Sequence, residues 1–283
     1  MTSLPAQAST TPKVALVTGA SSGIGEETAL LLAAEGYRVY AVARRTERMT
    51  TLTERGIHTF AMDVTDDASM TEGIERILDE TGRIDLLVNN AGYGSFGALE
   101  DVPLDEARRQ FEVNVFGLAR LIQLVVPGMR ERRAGRIVNI SSIGGKIYEP
   151  LGSWYHATKF AVEGLSDCLR IELAPFGIEV VIVEPGPILT EWNTIARESM
   201  LEQSAAGPYG AMARSVAATL TRADDPRTGT TPDVVARKIV RSATVRRPRA
   251  RYAVGKGAGT ILRARKLLPD TLMDVLVARA FLR

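Results

Sequence analysis

Seven short β-branched runs, with helical stretches between them, constrain the fold of this chain more than any other feature. The runs are VALVT (14–18), RVYAVA (38–43), HTFAMDV (58–64), DLLVNN (85–90), RIVNIS (136–141), EVVIVEP (179–185) and RYAV (251–254). Several are apolar throughout, as strands must be when both faces are buried in a parallel sheet. Two of the intervening stretches, GEETALLLAAEG and TERMTTLTERG, close on Gly36 and Gly56, the residue type that ends a helix in a left-handed conformation. Strand, helix, strand in this repetition predicts an α/β fold: a doubly wound parallel sheet of about seven strands, helices on both faces. No repeat or low-complexity linker interrupts it. Residues 13–283 are therefore read as one domain, after a disordered lead-in over 1–12.

Two segments depart from the alternation. Residues 187–230 hold helical fragments broken by GPYG and ADDPRTG and no clear strand, which marks a substrate lid. Residues 256–283 follow the last strand as two short amphipathic pieces hinged at Pro269. From Arg241 to Arg283 there are eleven Lys/Arg and two Asp, an excess of nine positive charges, while the formal charge of the whole chain is only +2. The apolar side chains there, among them Leu262, Leu267, Leu268, Leu272, Met273, Leu276 and Val277, must be covered. Docking on the body of the protein, partly over the substrate site, is the expected arrangement. A lipid surface is the lesser alternative, because Pro269 interrupts the periodicity and the segment has no tryptophan.

A single cysteine, Cys168, excludes an internal disulfide and suits a reducing cytoplasm. With only His58 and His156 beside it, no structural zinc site is expected. No unbroken apolar run approaches the roughly 18 residues of a membrane span, and the N-terminus lacks the basic and apolar regions of a secretory signal. Nothing points to nucleic acid.

The octet TGASSGIG, Thr18–Gly25, follows the first strand and opens the first helix. Gly19 permits a tight turn, and Gly23 and Gly25 let a pyrophosphate approach the positive helix N-terminus. Ser21, Ser22 and Ile24 complete the lining, with Ser22 able to add a hydroxyl to a phosphate. The second strand ends in Ala43-Arg44-Arg45. A carboxylate there would accept hydrogen bonds from an adenosine 2′-hydroxyl, whereas a guanidinium binds a 2′-phosphate with two parallel hydrogen bonds. Arg44, more than Arg45, therefore argues for NADP(H). Asp63-Val64 and Asn89-Asn90-Ala91-Gly92 close the third and fourth strands, at the carboxyl edge where ligands of such sheets sit.

Tyr155 and Lys159, four residues apart, share one face of a helix. A free phenol titrates near ~10, and a nearby ammonium would lower that value and suit the phenol to acid–base work on an alcohol or carbonyl. Ser142, at the end of the fifth strand, can orient and polarise a substrate oxygen. Its neighbour Ser141 is discounted because it points to the other side of the strand. His156 lies about 100° around the helix from Tyr155 and is read as structural.

T-G-x-x-x-G-x-G, N-N-A-G, the serine and Y-x-x-x-K occur in the order that resembles the short-chain dehydrogenase/reductase family, over roughly residues 13–255. WYHATKFAVEGLSDCLRIELAPFGIEVVIVEPG is most similar to its retinol and 17β-hydroxysteroid dehydrogenase branch. The resemblance implies several roles. Asp63 meets the adenine, and Asn90, Ala91 and Gly92 line the cofactor. Lys159 holds the nicotinamide ribose, Asn114 holds a proton-relay water, and Pro185, Gly186, Ile188 and Thr190 lie over the nicotinamide. It implies an NADP(H)-dependent alcohol dehydrogenase or carbonyl reductase acting on a small apolar molecule, assembled as a homodimer or homotetramer through the helices of Asn114 and Tyr155. Substrate-wall candidates are Tyr93, Phe96, Tyr148, Trp154 and Trp192. The rival readings are a non-catalytic NADP-binding regulator and an epimerase or dehydratase on the same scaffold.

Overall fold

Each of the seven runs folds as a strand, and period-two alternation along them divides the core into two layers. The computed structural model describes residues 11–282 except 226 and 228. The expected lead-in over 1–12 thus lies, apart from its last two residues, outside the described residues. Strands β1 (Val14–Thr18), β2 (Arg38–Ala43), β3 (His58–Ala61), β4 (Leu86–Asn89), β5 (Gly135–Ile140), β6 (Ile178–Pro185) and β7 (Arg251–Val254) form one sheet in the order β3-β2-β1-β4-β5-β6-β7. Every neighbouring pair is parallel. The predicted doubly wound sheet is the fold of this chain. The strand order reverses between β1 and β4, the place where such sheets hold ligands.

The helices are α1 (Gly23–Ala34), α2 (Thr50–Glu54), α3 (Asp67–Thr81), α4 (Leu104–Phe111), α5 (Leu118–Glu131), α6 (Ser153–Leu173), α7 (Glu191–Ser204), α8 (Gly210–Ala223), α9 (Pro232–Thr244), α10 (Ala258–Leu267) and α11 (Asp270–Phe281). Val14, Leu16, Tyr40, Leu87 and Ile137 pack against α3, α5 and α6 on one face. Their alternate neighbours Ala15, Val17, Ala41, Val88 and Val138 pack against α1, α2 and α9 on the other. Side chains that point to opposite faces of each strand make both layers necessary.

A π-helical segment, Glu112–Gly117, joins α4 to α5. The resulting 28-residue stretch, Leu104–Glu131, is long and apolar enough to cross a membrane, which a search for unbroken apolar runs misses. Here its Val113, Val115, Leu118, Leu121 and Val125 are buried against the sheet. Among its described residues, the segment 187–230 carries α7 and α8 and no strand, only an isolated bridge between Ile188 and Thr230. This segment has its own apolar cluster, which packs Ala196, Met200, Ala213 and Val216 against Phe96, Leu151 and Tyr155.

Candidate active site

The glycine turn is shaped by close backbone approach. Gly19 adopts φ +66°, and a Cβ there would lie 2.8 Å from the Cα of Ala91. A Cβ on Gly25 would lie 2.3 Å from the carbonyl oxygen of Gly19, because the first turn of α1 folds back under the loop. The Asn90 side-chain amide donates to the carbonyls of Thr18 (3.0 Å) and Gly19 (3.2 Å). The Thr18 hydroxyl in turn accepts from the backbone N–H groups of Asn90 and Ala91. The end of β4 is thereby stapled to the turn after β1. Ser22 makes no side-chain cap, so the N–H groups opening α1 are presented to an anion. Gly25→Ala should cost about 1–3 kcal/mol by overpacking, a fall in Tm of several degrees by calorimetry; an unchanged Tm would contradict this packing.

A cavity of about 470 Å³ runs from this turn to α7 and α8. All the predicted cofactor residues line it except Gly25, which lies beneath the turn. The residues fit a dinucleotide: a left-handed glycine turn leaves a cradle at the N-terminus of α1, and Arg44 and Arg45 stand exposed at the end of β2. Neither arginine forms an ion pair among the described residues. The Asp63 carboxylate accepts from the backbone N–H and hydroxyl of Thr65 at 2.9 and 2.8 Å, which fixes it at the rim. Arg48 binds Glu191 through two hydrogen bonds, 3.0 and 2.5 Å. This clamp holds the start of α7 beside the glycine turn, and no sequence signal links residues so far apart.

Of the catalytic candidates, Ser142, Tyr155 and Lys159 line the cavity and Asn114 does not. Tyr155 is buried, its ring 4.9 Å from that of Trp192 and 5.5 Å from that of Phe96. Burial pushes its phenol well above the ordinary value, the Ser142 hydroxyl draws it down, and Glu149 pushes it up further. Burial lowers the Lys159 ammonium to about 8, opposed by Glu163 one turn further on. Its Nζ donates to the carbonyl of Ile140 at 3.0 Å and lies 5.9 Å from the centre of the Tyr155 ring. The sequence led to the expectation of a phenol lowered by the ammonium; burial instead holds it above the ordinary value, Ser142 opposes that rise, and Lys159 is engaged with Ile140. The Ser142 oxygen also accepts from the backbone N–H of Gly144 at 3.0 Å. Ser141 is buried, and its hydroxyl has no partner among the described residues.

Asn114 lies in the π-helical segment, a distortion the sequence did not announce and one that often marks functional sites. Its carboxamide accepts from the N–H of Tyr93 (3.0 Å) and donates to the carbonyl of Tyr93 (2.9 Å) and to Thr158 Oγ1 (3.0 Å). It approaches the site from behind Gly92. A Cβ on Gly92 would lie 3.1 Å from Asn114 Oδ1 and 3.8 Å from Lys159 Nζ.

His156 is occupied on both nitrogens. The backbone N–H of Glu149 donates to Nε2 at 3.1 Å, and Nδ1 lies 2.8 Å from the carbonyl of Gly144. A donor at Nε2 and an acceptor at Nδ1 require the neutral ring with its proton on Nδ1, and burial lowers its pKa accordingly. Of the wall candidates, Tyr93 and Trp192 line the cavity. Phe96 is fully buried behind Tyr155, Trp154 packs edge-on against Phe111, and Tyr148 turns outward to donate to Asp274 at 2.6 Å.

That last bond belongs to the docking of the C-terminal segment. The Arg265 guanidinium sits over the Tyr148 ring at 5.7 Å, and the Ser215 hydroxyl on α8 donates to the carbonyl of Phe281 at 2.7 Å. Met273 is buried, and Phe281 packs on the apolar cluster of α7 and α8 and lines the cavity. Leu267, Leu272, Val275 and Leu276 remain exposed. Docking is therefore one-sided.

Comparison with known proteins bears on this geometry. The short chain dehydrogenase family profile matches residues 13–200. The 3-ketodihydrosphingosine reductase of Bacteroides thetaiotaomicron is 35% identical over 265 residues, covering 93% of this chain and 96% of the relative. The NADPH-dependent 3-dehydrocapnine reductase of Ornithobacterium rhinotracheale is 34% identical over 275 residues, covering 93% and 95%. The crystal structure of a short-chain dehydrogenase from Streptomyces avermitilis superposes with a TM-score of 0.80 at 35% identity, covering 95% of this chain and 96% of that one. With the parallel sheet, the glycine turn and the serine, tyrosine and lysine gathered in one cavity, these likenesses make the chain an oxidoreductase of the short-chain dehydrogenase family.

Proposed function

We propose that the protein interconverts an alcohol and an apolar ketone or aldehyde with NADP(H). The observation that carries this reading is the meeting, in one cavity, of the glycine turn, Arg44, Ser142, Tyr155 and Lys159. A nicotinamide held there would supply the hydride for the carbonyl carbon, or accept it in the oxidative direction. Tyr155 gives the proton to the substrate oxygen from its hydroxyl, or removes it in reverse. Ser142 hydrogen-bonds the same oxygen and holds it over the phenol. Lys159, anchored on β5, holds a ribose with its remaining donors, and Asn114 fixes the backbone of Tyr93 behind the site. Apolar walls at Trp192, Leu220 and Phe281 suit an apolar substrate, and two relatives are named as reductases, one of them NADPH-dependent. A likeness to the retinol and 17β-hydroxysteroid branch rests on the α6–β6 sequence alone. A screen of NADPH oxidation against aldehydes, ketones and steroids of graded size tests the reading. Tight NADPH binding with no turnover of any of them would favour a regulator, and product formation without net cofactor use an epimerase or dehydratase.

Residues 13–283 act as one catalytic unit in this reading, with 187–230 as lid and 256–283 as its brace. Phe116, Phe160 and Ile171 are exposed on the π-helical segment and α6, which supports pairing of two subunits through those helices. Truncation after Gly255 should lower Tm and broaden the range of ketones reduced, because it removes Phe281 from the cavity and the partner of Tyr148. A truncated protein of unchanged stability and range that no longer sediments with anionic vesicles would instead assign the segment to a lipid surface, through the exposed side of α11.

A further inference from the structure

The loop between β5 and α6 brings a carboxyl group to the substrate end of the cavity that the reaction described above does not use. Glu149 lines the cavity together with Tyr155, and its side chain is 16% exposed. Among the described residues no hydrogen bond reaches its carboxyl oxygens. The nearest basic atom is His156 Nε2, 3.9 Å from Oε1. That nitrogen carries no proton, because it accepts the backbone N–H of Glu149. The imidazole therefore contributes no charge.

A half-buried carboxyl with neither a cation nor a donor is costly to keep ionised. Burial alone pushes it to about 7. A side chain kept there only for packing would be better apolar, since Ile147 and Trp192 line the same cavity. The position of the loop is also tightly set. Tyr148 is tied to Asp274 and covered by Arg265. Leu151 adopts φ +64°, a left-handed conformation that a leucine holds only when its surroundings enforce it, and its carbonyl accepts from the N–H of Gly97 at 2.8 Å. The docked C-terminal segment thus braces the loop that aims Glu149.

We propose that Glu149 determines specificity by binding an ammonium group carried near the reacting carbonyl, so that the preferred substrates are amino ketones and amino alcohols with an apolar tail. An ammonium entering beside Glu149 supplies the missing counter-charge and donors together, and the charge-assisted hydrogen bond forms in a low-dielectric pocket. The apolar tail follows the walls made by Trp192, Leu220 and Phe281. The inference rests on the carbonyl-reductase reading for its account of turnover, and on the cavity alone for its account of binding.

Two measurements separate these layers. The first compares kcat/KM with NADPH for a medium-chain 2-amino-3-ketone and for the 3-ketone of the same length lacking nitrogen, in the unmodified protein and in Glu149→Gln. The expected result is a preference of about tenfold or more for the amino ketone, collapsing towards parity in the variant, as loss of one charged hydrogen bond predicts. The second measures, by calorimetry on the complex with NADP, binding of n-octylamine and 1-octanol. The amine should bind about tenfold more tightly to the unmodified protein and no more tightly to Glu149→Gln. Unchanged melting of the variant confirms that it is folded. Reduction of ketones with an amine preference that is absent, or that survives in Glu149→Gln, overturns the assignment of Glu149 and leaves carbonyl reduction standing. Amine binding that depends on Glu149, without reduction of either ketone, upholds the ammonium site and overturns the reductase reading.

Discussion

Tyr155→Phe should lower turnover by about two orders of magnitude or more while leaving NADPH affinity nearly unchanged. The substitution removes only the hydroxyl. The ring keeps its packing on Trp192 and Phe96, so the fold and the cavity wall persist. What disappears is the proton donor that the proposed reaction assigns to the substrate oxygen. Ser142 cannot replace it, since an aliphatic hydroxyl is a far weaker acid than a phenol. His156 cannot either, because its Nδ1 proton is committed to the carbonyl of Gly144 and its Nε2 to the N–H of Glu149. Single-turnover kinetics with cofactor binding followed separately would check the split. Retention of most of the turnover would place the acid elsewhere and end the proposed role of Tyr155.

The second large effect concerns cofactor choice. Arg44→Asp should raise the KM for NADPH far more than that for NADH. Loss of one charged bidentate contact is worth roughly 1.5–3 kcal/mol, and a carboxylate would in addition repel the 2′-phosphate. Arg44 is exposed at the end of β2 and lines the cavity. Among the described residues no carboxylate pairs with it, so its guanidinium is presented to a ligand. Arg48 carries no such prediction. Its guanidinium is already engaged with Glu191, and its substitution should loosen the start of α7. Equal use of NADH and NADPH by the unmodified protein would refute the assignment of Arg44.

Much of the fold was legible in the sequence because its signals are local. Each strand follows from a β-branched run, and the bounds of β1, β2 and β7 coincide with the runs read from sequence. β3 stops at Ala61, before the predicted Val64. Its one neighbour, β2, ends at Ala43 opposite Ala61, so the residues that follow have no ladder to join. The glycine turn and the Tyr155–Lys159 spacing were legible for the same reason, since a turn needs glycine at fixed places and a helix face repeats every four residues.

Other features depended on contacts between residues far apart in the chain. Period and spacing say which side of an element a residue occupies, not what it meets there. Gly25 belongs to the fingerprint, yet it serves the packing of α1 on the turn rather than the cavity. Burial raises the phenol pKa and Ser142 opposes the rise, while Lys159 reaches the carbonyl of Ile140 on the neighbouring strand. The π-helical turn around Asn114 arises where its side chain binds the backbone of Tyr93.

The sequence by itself therefore determined the sheet, the glycine turn and the placing of Tyr155 and Lys159 on one helix face. Each is encoded within a few residues by backbone geometry and hydrophobic period. Only the tertiary structure decided that Arg48 clamps the start of α7, that Phe281 lines the cavity from the far end of the chain, and that Glu149 enters it without a counter-charge among the described residues. Those outcomes come from packing between distant segments, where burial and the presence or absence of a partner set what a charge can do.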